Sequence, residues 1–217
     1  MKALSTLAQT VTPSPIRQMF NRALGMEDVV SFTVGESDFT TPEHVVEAAV
    51  EALRAGEHKY TPNAGVLPLR QAICRTTEKS YGLSYDPETQ TIVTAAGMEA
   101  LMLSMLTIIE PGDEWILGDP CWTNYSRQVN IAGGMPKFVS VRAEDNFHFD
   151  PTALEKAMTG WRVGYALGPV EIIKNMVKLQ ENVTACVDSV AQYAAIAALE
   201  GTQEPLHQMV ESYSCRR

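Results

Sequence analysis

Thr91-Ile92-Val93-Thr94-Ala95-Ala96-Gly97-Met98-Glu99-Ala100-Leu101 is the stretch that decides the fold. Its first residues are β-branched and apolar, the composition of a short strand. Small residues then make a turn, and a helix is predicted from about Gly97 to Ile109. The next residues repeat the pattern. Pro111-Gly112-Asp113 is a turn, Glu114-Trp115-Ile116-Leu117-Gly118 a second strand, and Tyr125–Ala132 a helix ended by Gly133-Gly134. Lys137-Phe138-Val139-Ser140-Val141 is a third strand. Strands and helices alternating at this length predict an α/β fold, with a mixed, mostly parallel sheet flanked by helices.

Toward the N-terminus, residues 1–40 read as an arm. Ser14-Pro15-Ile16-Arg17 opens an amphipathic turn to about Ala23, and Val29–Val34 reads as a short strand ending at Gly35. Thr41-Pro42-Glu43 is a helix start, a cap residue followed by Pro at the first helical position. That helix places Val45, Val46, Ala49, Val50 and Leu53 on one face and ends at Gly56. Asn63-Ala64-Gly65 is a turn, and Leu67–Tyr81 a second helix with Leu69, Ile73 and Cys74 inward. Toward the C-terminus, Asp150-Pro151-Thr152 starts a helix with Leu154 and Met158 apolar. It runs directly into an apolar strand, Trp161–Leu167, and Glu171–Glu200 reads as one or two long helices.

Composition narrows the function. The net charge of -9, with no basic cluster, argues against nucleic-acid binding, which draws its affinity from Lys and Arg on phosphates. No window approaches the roughly 20 apolar residues of a membrane span. The first residues lack the apolar run of a signal peptide. Cys74, Cys121, Cys186 and Cys215 are far apart with no CxxC pair, as expected of reduced thiols in the cytoplasm. His44, His58, His148 and His207 show no ligand spacing, so no metal is expected.

Four positions carry possible chemistry. The Thr94–Leu101 turn is either a plain strand-to-helix connection or an anion site, where backbone N–H groups and the positive helix end meet a phosphate. Trp122, in Asp119-Pro120-Cys121-Trp122, follows a buried strand; its indole is either core or a stacking surface for a planar ring. Arg162 sits inside an apolar strand, either at the sheet surface or paired to a carboxylate, or with its guanidinium fork on a phosphate. Tyr60 lies in the loop His58-Lys59-Tyr60-Thr61-Pro62-Asn63-Ala64-Gly65, exposed or functional.

Taken together these runs resemble class I aminotransferases dependent on pyridoxal 5'-phosphate (PLP), of fold type I. The resemblance also rests on Gly35-Glu36-Ser37-Asp38-Phe39-Thr40-Thr41-Pro42, on Pro111-Gly112-Asp113-Glu114, and on Ala157-Met158-Thr159-Gly160-Trp161-Arg162-Val163-Gly164-Tyr165, all in family order. It implies that Gly97 and Met98 offer backbone N–H groups to the PLP phosphate and that Arg162 grips it. Trp122 would stack on the pyridine ring, and Gly35 would line the substrate pocket. Tyr60 would reach the phosphate of the neighbouring subunit of a homodimer. The implied reaction moves an amino group between an amino acid and a 2-oxo acid.

The resemblance breaks at the reactive centre. The family lysine that holds PLP as a Schiff base stands eight residues before the arginine, where this chain has Leu154. Leucine has no amine to form an imine or to move a proton. Lys156 is six residues away, out of register. The family stretch holding that lysine, with the Asn, Asp and Tyr that hold the ring, is absent, with a junction near 157–160. The resemblance thus implies an incomplete large domain over residues 41–200, behind an arm and small-domain segment at 1–40. Residues 201–217 would be the truncated start of a C-terminal domain. The missing stretch supplies about three central strands in the family. The strand from Trp161 is expected to pair with that from Thr91, and the strands from Glu114 and Lys137 with each other, each pair keeping an open edge and low stability. Catalysis by the chain itself is therefore not expected. The alternatives are a non-catalytic PLP-binding or dimer-partner remnant, or a fragment of a PLP-dependent C–S lyase.

Overall fold

The computed structural model describes residues 4–32, 35, 37–140 and 164–215. Leu154 and Arg162, the helix expected from Asp150, and Trp161–Val163 of the last expected strand lie outside them. The described residues fall into two units, one from 1–38 and 108–151, the other from 39–107 and 152–217.

The second unit holds a two-stranded antiparallel sheet of β1 (Thr91–Thr94) and β4 (Gly164–Leu167), with Thr94 opposite Gly164. Every β1 residue is buried, as in strands covered on both faces. The alternation of side chains explains how. Val93 packs with Leu69 and Ile73 of α4 (Leu67–Tyr81) and with Ala191 and Ala195 of α8 (Ser189–Glu200). Ile92 packs on the opposite face with Leu103 of α5 (Ala96–Ile108) and with Ile173 and Met176 of α7 (Val170–Val183). Tyr165 and Ala166 of β4 divide between these clusters in the same way. The helix α3 (Glu43–Arg54) adds Val45 and Ala49 against Ala194 of α8. The chain after α8 forms α9 (Glu204–Cys215), whose Tyr213 meets Phe39 edge to face at 5.3 Å.

The first unit holds a parallel pair, β2 (Glu114–Asp119) and β3 (Met135–Ser140), joined through α6 (Asn124–Ile131). Ile109, Leu117 and Val129 are its buried apolar residues among those described. A Cβ on Gly134 would stand 2.9 Å from an Ile109 methyl and 3.0 Å from a Val129 methyl, so a side chain at that entry to β3 would force its neighbours to shift. Two N-terminal helices, α1 (Thr6–Thr10) and α2 (Pro15–Ala23), precede it; Arg127 of α6 donates to the Thr12 carbonyl at 3.1 Å, tying the segment between them to α6.

Both strand pairs are those expected, and the 171–200 region resolves into two helices. Three readings are corrected. Of the strand expected at Val29–Val34, Thr33 and Val34 lie outside the described residues and Val29–Phe32 is not in a strand, its large side chains, Val30 and Phe32 above all, being exposed. The α3 cap is Pro42, not Thr41, so the helix starts one residue late. Leu53 faces solvent and Ala52 is buried in its place, the helix having turned its small-residue stripe toward α8. α1 and α9 are helices that the sequence pattern did not disclose.

Candidate functional site

The turn between β1 and α5 is built by close approach. Thr94 is fully buried and its hydroxyl donates to the Ala96 carbonyl at 3.1 Å. Ala96 takes φ +68, a left-handed conformation that costs an L-residue about 1–2 kcal/mol. What holds it there is β4. A Cβ on Gly164 would lie 2.5 Å from the Ala96 carbonyl carbon and 2.6 Å from the Gly97 nitrogen, so backbone packs on backbone at a position only glycine allows. Gly97 differs: a Cβ there would meet nothing within 4 Å. Gly97 and Met98 thus stand in the first turn of α5 with open space beside Gly97. Glu99 closes the turn from below, its carboxylate accepting from the Ala95 N–H and from the Thr184 hydroxyl.

The Tyr60 loop is clamped from α8. The buried Gln192 amide donates to the Thr61 hydroxyl at 3.1 Å and to the Val187 carbonyl at 3.0 Å, and accepts from the Val66 N–H at 2.7 Å. Gly65, at φ +94, lies where a Cβ would sit 2.5 Å from Val93. Arg70 donates to the Gly65 carbonyl at 3.2 Å and to that of Pro87 at 2.7 Å, and burial lowers its pKa, against the pull of Glu88. Tyr60 itself is 91% exposed. With His58, Lys59, Cys186, Asp188 and Ser189 it lines a shallow cavity of about 600 Å³.

In the first unit, Trp122 is 48% exposed just ahead of α6, so its indole is a surface and not a core residue. Burial first, then Asp119, raises the pKa of the neighbouring Cys121 thiol, which keeps it protonated at neutral pH. Gly35 is exposed, and a Cβ there would meet nothing within 4 Å. The second unit therefore brings Gly97 and Met98 together with Gly164, Glu99 and Thr184. The last three are turn-holding residues that the motif reading passed over. A glycine two positions after the arginine, and a glutamate four after Ala95, were the available signals.

The model of the aminotransferase class I and II family matches residues 27–159 and again 156–217. The chain belongs to that family. It is 31% identical to the aspartate/prephenate aminotransferase of Thermus thermophilus, over all of this chain and 78% of that one. It is 28% identical to the aspartate aminotransferase of Geobacillus stearothermophilus, over 98% and 76%. A solved Thermus thermophilus aspartate aminotransferase, a tetra mutant complexed with tryptophan, superposes with a TM-score of 0.91 at 29% identity, covering 100% of this chain and 78% of that one. The aminotransferase chain is thus an α/β piece of PLP fold type I.

The matches also locate a gap. The alignment with the Thermus relative runs over 301 residues while this chain has 217, so the relative carries internal residues with no counterpart here. The family model matches twice, and the two matches meet at 156–159. The family is PLP-dependent. The turn at Gly97 fits the phosphate end of that cofactor, since open space at a helix N-terminus lets an anion reach backbone N–H groups.

Proposed function

We propose that this chain is a PLP-binding remnant of an enzyme that transfers an amino group between an amino acid and a 2-oxo acid, and that alone it does not catalyse the reaction. The carrying observation is Leu154, eight residues before Arg162, beside a gap at 156–159 in the family match. The backbone of Gly97 and Met98 and the guanidinium of Arg162 hold the phosphate. Trp122 stacks on the ring, and Gly35 borders the substrate. Tyr60 serves the neighbouring subunit of a homodimer, for which its exposure leaves it free. Bound PLP supplies an electron sink for the substrate's α-carbon. The residues of this chain bind and orient it, with leucine and not lysine at the position that would take the α-proton.

The domain reading follows: an arm and small-domain segment at 1–40, a large-domain remnant at 41–200 with its junction near 157–160, and the start of a C-terminal domain at 201–217. The setting is cytoplasmic. The intact turn, with Gly164 against Ala96, favours a retained binding role over simple decay, and nothing at Gly35 or Tyr60 favours the C–S lyase alternative. The test is paired. PLP is titrated against tryptophan fluorescence, and the loaded chain is assayed for amino-acid-dependent consumption of a 2-oxo acid. The proposal expects binding that Arg162→Ala weakens, without turnover; turnover by the chain alone, or binding indifferent to Arg162, refutes it.

A further inference from the structure

The turn between β1 and α5 is tied to the end of α7 by a closed ring of hydrogen bonds. The buried Gln180 amide donates to the Val93 carbonyl at 2.9 Å. The Gln180 carbonyl accepts from the Thr184 N–H at 2.9 Å and from the Ala185 N–H at 3.0 Å, with Ala185 at φ +64 as the chain leaves α7. The Thr184 hydroxyl donates to one oxygen of Glu99, and the other oxygen accepts from the Ala95 N–H, two residues beyond Val93. Glu99 is the one ionisable side chain in this ring. Its carboxylate does two opposed things. It satisfies the Ala95 N–H, a donor that a part-buried turn cannot leave unpaired, and so fixes the backbone just ahead of Gly97. It also sets a negative charge near the phosphate. Two residues span at most about 7 Å, so the carboxylate lies within about 10 Å of the Gly97 nitrogen. That is close to the Debye length of about 8 Å at physiological salt, and Glu99 is half-buried, which screens it less than an exposed charge.

We propose that Glu99 is a positioning residue that sets the anion affinity of the Gly97 turn. Its hydrogen bonds hold the turn in shape for the phosphate, and its charge lowers the affinity that the helix end alone would give. The inference rests on the reading of this turn as the phosphate site of PLP; it does not require the chain to be inactive alone. Glutamine separates the two roles. Its amide oxygen accepts from the Ala95 N–H and its NH2 donates to the Thr184 hydroxyl oxygen, so both bonds survive while the charge is gone. Alanine removes bonds and charge together. A purely structural glutamate gives no reason for the neutral variant to bind an anion more tightly than the parent chain.

The experiment titrates PLP against the full chain and its Glu99→Gln and Glu99→Ala variants, at low salt and at about 1 M salt, and follows amide exchange at Ala95. Glu99→Gln should bind PLP about two- to tenfold more tightly than the parent at low salt, with the ratio shrinking toward one at high salt and Ala95 exchange unchanged. Glu99→Ala should bind more weakly than Glu99→Gln, with Ala95 exchange faster by about tenfold or more. Thr184→Val, a change at an exposed position, removes one of the two bonds and should speed that exchange by about threefold, which keeps the holding role testable if the alanine variant does not fold. Glu99→Gln binding no more tightly than the parent, or a gain that high salt leaves intact, overturns the proposal. So does Ala95 exchange that neither Glu99→Ala nor Thr184→Val alters. The two readings fail separately: PLP binding by neither the parent nor Glu99→Gln overturns the functional reading along with this one, whereas binding by the parent without a gain in Glu99→Gln overturns this one alone.

Discussion

Gly164→Ala is predicted to damage a turn that Gly97→Ala leaves intact. The added methyl carbon at Gly164 would sit 2.5 Å from the Ala96 carbonyl carbon, 2.6 Å from the Gly97 nitrogen and 2.9 Å from the Ala96 Cα. Carbon atoms settle at about 3.5–4.0 Å, so β4 or the turn must shift by about 1 Å. All three obstructing atoms are backbone. They are held on one side by the Thr94–Gly164 pairing and on the other by the Glu99 carboxylate on the Ala95 N–H. Overpacking typically costs about 1–3 kcal/mol, and a clash with fixed backbone belongs at the upper end. At Gly97 the same methyl meets open space in a helical residue, where alanine gains up to about 1 kcal/mol over glycine. The two variants should therefore differ by about 2–4 kcal/mol in urea unfolding followed by circular dichroism. A Gly164→Ala midpoint equal to that of the parent chain, or Gly97→Ala just as damaging, would refute the close-packing argument.

Gln192→Ala should leave the Val66 N–H without its acceptor and the Thr61 hydroxyl and Val187 carbonyl with only their mutual 3.5 Å bond, costing about 1–3 kcal/mol and speeding proteolysis in the 61–66 loop; an unchanged cleavage rate would contradict the clamp. Burial, with Tyr81 adding and Thr77 opposing, raises the Tyr165 phenol above its ordinary pKa of 10.0. The folded chain thus keeps that proton to higher pH than the unfolded one. The contribution is intact below pH 10 and is lost as pH rises from there through the folded value. Tyr165→Phe should flatten that alkaline decline, and an unaltered slope would count against it. The split sheet should give a low melting temperature and strong binding of a hydrophobic dye; a soluble dimer of high thermal stability that ignores the dye would contradict it.

The sequence made the second unit legible because its signals are local and redundant. Thr91–Thr94 is apolar on both faces, and Leu67–Tyr81 has a proline near its start and Gly82 at its end. Val29–Phe32 misled because β-branched residues form a strand only beside a partner, and here none is present among the described residues. Leu53 misled because α8 offers a small-residue stripe, Ala194 and Ala198, that selects Ala52 over a larger neighbour. At the site, Gly97 and Met98 could be read from turn composition. Gln192 could not, since a buried amide clamp between residues more than 60 positions apart leaves no local mark.

The central claim is that a phosphate-binding turn has outlived the amine that made its cofactor reactive. Its most direct test is to saturate the full chain with PLP, reduce with borohydride, and map the product by peptide mass. The account predicts scattered, substoichiometric labelling of surface lysines and no single modified site. One lysine carrying a full equivalent of PLP, in a chain that also turns over an amino acid, would contradict it.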